Sequence, residues 1–152
     1  MRRFSATLLL ALASVVLLTG CPTGPRFTLM GEDSALVGTW GGTVVIQAEA
    51  PREVMVVFGI SEFEIEIFQN GGDITTIKGS YRVDQGTTPN RIELGVNETS
   101  TDMRELRRAT LKGVYQRVGD TLDMSHNIHS RLGWPLGVDV GEYKYELTRV
   151  SR

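Results

Sequence analysis

Beyond residue 38 the chain alternates apolar and polar side chains with a period of two, the mark of strands with one face in a core and one in water. The cleanest stretch is Glu62-Phe63-Glu64-Ile65-Glu66-Ile67, in which every second residue is a carboxylate. The rhythm recurs in Trp40, Val44 and Ile46, then in Val54, Val56, Phe58 and Ile60. It continues through Ile77, Tyr81 and Val83, and through Ile92, Leu94 and Val96. Leu111 with Tyr115, Leu122 with Met124, and Tyr143, Tyr145 and Leu147 complete the series. Turn residues separate the runs: Asn70-Gly71-Gly72-Asp73, a loop from Gln85 to Asn90, and Gly119-Asp120, which suits a tight hairpin. The pattern predicts eight short antiparallel strands.

Such a series builds either a sandwich or a barrel. The expected fold is an all-β, eight-stranded, up-and-down antiparallel barrel, because one apolar face per strand lets a single sheet curl on itself and lose its edges. Gly42, Gly79, Gly95 and Gly113 lie inside strands, where a small barrel must bend sharply. An open sandwich is the alternative. Little helix is expected. Asp102-Met103-Arg104-Glu105 has a capping-box-like pattern, but the segment to Arg108 is short and charged. It reads as a solvated connection, with Arg104, Arg107 and Arg108 as a conceivable rim for an anion.

The first residues follow another rule. Arg2 and Arg3 precede an apolar run from Thr7 to Leu18, the length of a signal-peptide core and too short for a permanent span. The run ends in Leu18-Thr19-Gly20-Cys21, which resembles the bacterial lipobox. That resemblance implies cleavage before Cys21 and lipidation of its sulfur. Cys21 is the only cysteine, so no disulfide forms within the chain. The expected organisation is a lipoprotein signal peptide over 1–20, a tether over 21–33 carrying Pro22, Gly24, Pro25 and Gly31, and a barrel over 34–152. The protein is then extracytoplasmic, with the membrane as its partner through lipidated Cys21. The mature chain carries 14 basic and 18 acidic side chains, a balance of −4. This gives no general grip on nucleic acid or anionic lipid.

Several short motifs share an order along the domain. Leu36-Val37-Gly38-Thr39-Trp40 opens the first strand. Gly79-Ser80-Tyr81-Arg82-Val83-Asp84, Pro89, Ile92-Glu93-Leu94, Gly113-Val114-Tyr115 and Gly119-Asp120-Thr121-Leu122 follow. Over about Leu36 to Val150 this resembles an uncharacterised lipocalin-like domain family of planctomycete-type bacteria. Glu93 stands where that family usually has Asp, and Leu132-Gly133-Trp134-Pro135 where an Arg-Pro is common. The resemblance implies a barrel whose floor is closed by Trp40, and it implies no catalytic role.

The residues offer little catalytic chemistry. No Gly-x-Ser-x-Gly elbow or phosphate-cradling loop is present. His126 and His129, the only histidines, converge on a metal only if the chain turns between them, and no second His or Cys cluster supports a site. Glu62, Glu64 and Glu66 read as a wet outer face. The sequence indicates a non-enzyme without a cofactor or metal. All four tyrosines fall on the inward phase, and His126 shares the phase of Leu122 and Met124. Tyr81, Tyr115, His126, Tyr143 and Tyr145 are therefore candidate ligand-binding residues for a small apolar molecule. Core tyrosines bonded within the chain are the plainer reading. The long connection from about Asn127 to Gly141 is too apolar for a free linker, and its Trp134 is expected at a barrel mouth, as a sixth candidate. The rival to a ligand carrier is a solidly packed barrel that contacts another envelope protein. If Cys21 carries the anchor, Cys21→Ser should abolish palmitate labelling and release the protein from membranes. Continued membrane association of that variant would contradict the anchor.

Overall fold

A computed structural model describes residues 33–151. The expected signal peptide and nearly all of the expected tether, including Cys21, lie outside the described residues. Within them the sheet closes completely, with strands in sequential order β1 (Gly38–Ile46), β2 (Arg52–Phe58), β3 (Glu62–Phe68), β4 (Ile74–Asp84), β5 (Asn90–Thr99), β6 (Thr110–Val118), β7 (Thr121–Asn127) and β8 (Tyr143–Ser151). Each strand pairs antiparallel with its sequence neighbour, and β8 returns to β1 through partners such as Trp40↔Arg149 and Val44↔Tyr145. No edge is left open, which removes the hazard of strand addition. The only helical segments among the described residues are two 3-10 turns, η1 (Thr101–Leu106) and η2 (Ser130–Leu132).

The period-two pattern sets the burial. Phe63, Ile65 and Ile67 are buried, and Glu62, Glu64 and Glu66 between them point outward, with Glu64 paired to Lys78 at 2.6 Å. The one slip is Ile60, which follows β2 into its turn and is exposed. The interior holds large side chains from every strand, among them Trp40, Val44, Val56, Phe58, Ile65, Ile77, Leu94, Leu111, Tyr115, Met124 and Leu147. An eight-stranded barrel is just wide enough for such a filling.

Two glycines allow the strands to curl this tightly. A Cβ on Gly79 would stand 1.9 Å from the Gly95 carbonyl oxygen, beside the register shift between Lys78 and Gly79. A Cβ on Gly42 would meet the Glu146 carbonyl oxygen at 2.0 Å. Any side chain there would force the sheet apart.

The two ends are closed differently. At the end where β1 begins, Leu36 and Trp40 are fully buried, and the indole N–H donates to the Leu36 carbonyl at 2.7 Å. Arg149 stacks its guanidinium 4.2 Å from the Trp40 ring and donates to the carbonyls of Val37 and Ala35. Asp33, placed in the tether by its sequence neighbourhood, is buried and accepts a hydrogen bond from the Tyr115 hydroxyl at 2.9 Å. At the opposite end the connection between β5 and β6 is not the wholly solvated loop its charges suggest. Leu106 inserts into the core and Met103 packs against it, while Arg104, Arg107 and Arg108 remain exposed. The 3-10 turn starts after Ser100 rather than at Asp102, and no side chain caps it.

Replacing Trp40 with Ala removes the centre of the floor and the surface on which Arg149 rests. The expected loss is about 3–5 kcal/mol, a large part of a typical domain stability of about 5–15 kcal/mol. Urea unfolding measures it, and a loss below about 1 kcal/mol would show that the floor does not depend on this indole.

Candidate functional site

The structure separates the six sequence-predicted residues into three places. Tyr81 and Tyr115 lie towards the floor. The Tyr81 hydroxyl donates to the Gly59 carbonyl at 2.9 Å and its ring meets Phe58 edge-on at 5.0 Å. Tyr115 is held by Asp33. Burial, with the Asp33 carboxylate accepting from it, pushes the Tyr115 hydroxyl well above its ordinary pKa.

His126, Tyr143 and Tyr145 form one cluster towards the other end. Successive inward positions of β8 carry the tyrosines, and β7 places His126 directly opposite Tyr143. The imidazole stacks on the Tyr143 ring at 4.7 Å, and its Nε2 shares a hydrogen bond of 2.8 Å with the Tyr145 hydroxyl. Gly113 makes the space: it faces His126 across β6 and β7, and a Cβ there would come within 3.1 Å of the His126 Cβ. Burial holds the imidazole neutral, with a pKa lowered to about 3. Burial also pushes Tyr143 up to about 12, aided by the charge of Glu105, and raises Tyr145 well above its usual value. The Tyr143 hydroxyl points at the Met103 sulfur, 4.0 Å away. His126 Nδ1 has no hydrogen-bond partner among the described residues. The cluster is neutral at physiological pH and its three rings belong to the buried core, with Tyr145 also contributing to the wall of a surface cleft.

Trp134 does not lie at a barrel mouth. The connection between β7 and β8 folds along the outer wall, where the Trp134 ring sits 5.1 Å from the Arg91 guanidinium and 5.9 Å from the Lys112 ammonium. The reason lies in the wall. Val114, Ser125 and Asn127 occupy outward positions of β6 and β7, yet they are buried, so this part of the sheet requires a cover. The loop supplies it. Ser125 Oγ donates to the Gly137 carbonyl at 2.9 Å, and the Asn127 amide donates to the Gly133 carbonyl at 3.2 Å. Glu142, which the sequence did not single out, pins the base of the loop. Its carboxylate accepts from the Ile128 and His129 backbone N–H groups and from the His129 ring at 2.6 Å. Burial pushes the Glu142 carboxyl up, but those hydrogen bonds outweigh it and hold the group below its ordinary range. His126 and His129 consequently face opposite sides of the wall.

Three clefts, of about 360, 360 and 340 Å³, open on the outer wall. The first and third adjoin along β3, β4 and β5, sharing Glu64, Lys78 and Glu98. The second lies across β1, β7 and β8, bounded by Val138 of the long loop and Pro51. The inward-pointing His126 and Tyr143 line none of the three.

No family model, curated protein or solved structure matches the chain.

The buried imidazole gives the domain an acid-sensitive stability. In the unfolded chain a histidine binds its proton near pH 6.5, whereas folded His126 stays neutral until about pH 3. The folded state is therefore penalised as pH falls from about 6.5 towards 3, by up to about 1.4 kcal/mol per pH unit. His126→Leu removes this contribution. The stability difference between the wild type and that variant, from urea unfolding, should narrow between neutral and mildly acid pH. A difference that stays constant would show that His126 titrates normally in the folded protein.

Proposed function

We propose that the protein is a lipid-anchored protein of the bacterial cell envelope whose barrel is a rigid, non-catalytic interaction module that works through its outer wall. The observation that carries this reading is the filled interior. Trp40, Phe58, Tyr115 and Tyr145 are the largest side chains there that are almost wholly removed from solvent, and Tyr81 and Tyr143 are nearly as buried. Three of the four tyrosine hydroxyls already bond within the chain to oxygen or nitrogen, and the fourth faces the Met103 sulfur. A carrier of apolar ligands keeps a concave apolar space with a few unpaired polar groups. Here the tyrosine hydroxyls and His126 Nε2 have partners within the chain, His126 Nδ1 alone among the ring and hydroxyl groups has none among the described residues, and the three clefts described open outside. The anchor rests on the Leu18-Thr19-Gly20-Cys21 motif and on Cys21 being the single cysteine. More than one acyl chain would hold such a protein stably.

Native mass spectrometry of the protein taken from its host membranes tests the reading. The expected mass is that of the chain from Cys21 with acyl groups on that residue, in complex with a second protein. A small apolar molecule copurifying in one-to-one ratio would return the interior to the role of a binding site.

A further inference from the structure

We infer that the β7–β8 connection is a second membrane contact, which lays the barrel on its β6–β7 side against the bilayer to which Cys21 would tether it. The loop is not a loose segment. The bonds from Ser125, Asn127 and Glu142 fix it to the wall, and Pro135 is buried beneath it. Yet this fixed loop turns its aliphatic side chains outward: Leu136 is 89% exposed, and Leu132 and Val140 are each 57% exposed. A single exposed aliphatic residue is ordinary, but three on one loop that is hydrogen-bonded to the wall, with a half-buried tryptophan among them, form a surface adapted to a less polar medium.

The surroundings identify that medium. Arg91 and Lys112 flank the Trp134 ring, and Arg131 lies on the loop itself, exposed. Aliphatic tips with an indole between basic side chains match the interfacial zone of a bilayer, where indoles sit at headgroup level and cations meet lipid phosphates. Around the Trp134 ring the carboxylates are paired, Glu93 with Arg82 and Glu142 with His129. Asp139 is exposed on the loop, and Asp120, Asp123 and Glu146 are exposed on the neighbouring hairpin, β7 and β8, so the basic patch is confined to Arg91, Lys112 and Arg131. A further row of carboxylates sits elsewhere. Glu62, Glu64 and Glu66 line β3, four strands from β7 and so on the far side of the closed sheet. An anionic surface under the loop would not meet them.

The anchor permits this orientation. Eleven residues lie between Cys21 and Asp33, a span of at most roughly 40 Å. A nine-residue strand such as β8 runs about 30 Å. The chain enters at the floor, while the loop lies along the side and towards the other end, within that span.

This inference rests on the lipid-anchor reading, and the experiment keeps the two apart. The protein purified from membranes is first weighed by mass spectrometry, which reports acyl groups on Cys21 and so reads the anchor alone. It is then titrated with vesicles of phosphatidylcholine and phosphatidylglycerol bearing brominated acyl chains. Emission from Trp134 should be quenched, and the quenched component should vanish in Trp134→Phe, since Trp40 is enclosed in the barrel. A Leu132→Asp, Leu136→Asp double variant changes only exposed positions. It should keep its acyl chains and its Trp40 emission but lose the quenching. Arg131→Gln should weaken quenching more with phosphatidylglycerol present than in phosphatidylcholine alone. Emission that is equal in brominated and ordinary vesicles at every lipid concentration would overturn the contact, whether or not acyl chains are found. So would a photo-crosslinker at position 136 that captures one envelope protein in the host instead of lipid.

Discussion

The pairing of β8 with β1 is the constraint from which the rest of this structure follows. Once that seam closes, the sheet has no edge and encloses a fixed volume, and the inward side chains must fill it without strain. Trp40 and Arg149 are register partners across the seam, and they also build the floor. The same contact therefore joins the last strand to the first and pins the incoming chain through the Ala35, Leu36 and Val37 carbonyls. Gly42, on the same strand as Trp40, lets the two backbones approach closely enough for the seam to form.

A closed barrel whose inward side chains form one buried core turns attention to its outer wall. The interior tyrosine hydroxyls and His126 Nε2 bond within the chain, while His126 Nδ1 has no partner among the described residues, and burial displaces the pKa values of Tyr115, His126, Tyr143 and Tyr145. Displaced pKa values often mark catalytic sites; the His126 ring lines none of the three clefts described. What remains available is the wall, and it is not uniform. One side carries the glutamates of β3, and the other is overlaid by a pinned loop with exposed leucines and flanking cations. Two such different sides would give the chain, tethered through Cys21 as proposed, a preferred way to lie.

The strands were legible in the sequence because inward positions of a barrel obey a strict period of two, as Glu62 to Ile67 show. The interior candidates were legible for the same reason, since phase alone places Tyr81, Tyr115, His126, Tyr143 and Tyr145 inside. Phase does not say which of them meet. That depends on register across strands, and it divides them between the floor and the His126 cluster. Trp134 was misplaced because an apolar loop looks the same in sequence whether it closes a mouth or covers a wall. The available signal was Val114, an apolar residue at an outward position between Lys112 and Gln116. The roles of Asp33 and Arg149 could not be read locally, because their partners, Tyr115 and the Ala35 and Val37 carbonyls, lie 82 to 114 residues away. Leu106 was hidden among charges that face water while it alone turns inward.

The claim that the interior is solid is tested most directly by methyl NMR. Signals from Ile65, Ile77, Leu94 and Leu111 report on the centre of the barrel. With fatty acids and hydrophobic dyes added in excess, these signals should not move. Saturable shifts at those four residues would show that the interior admits a ligand and would contradict the account.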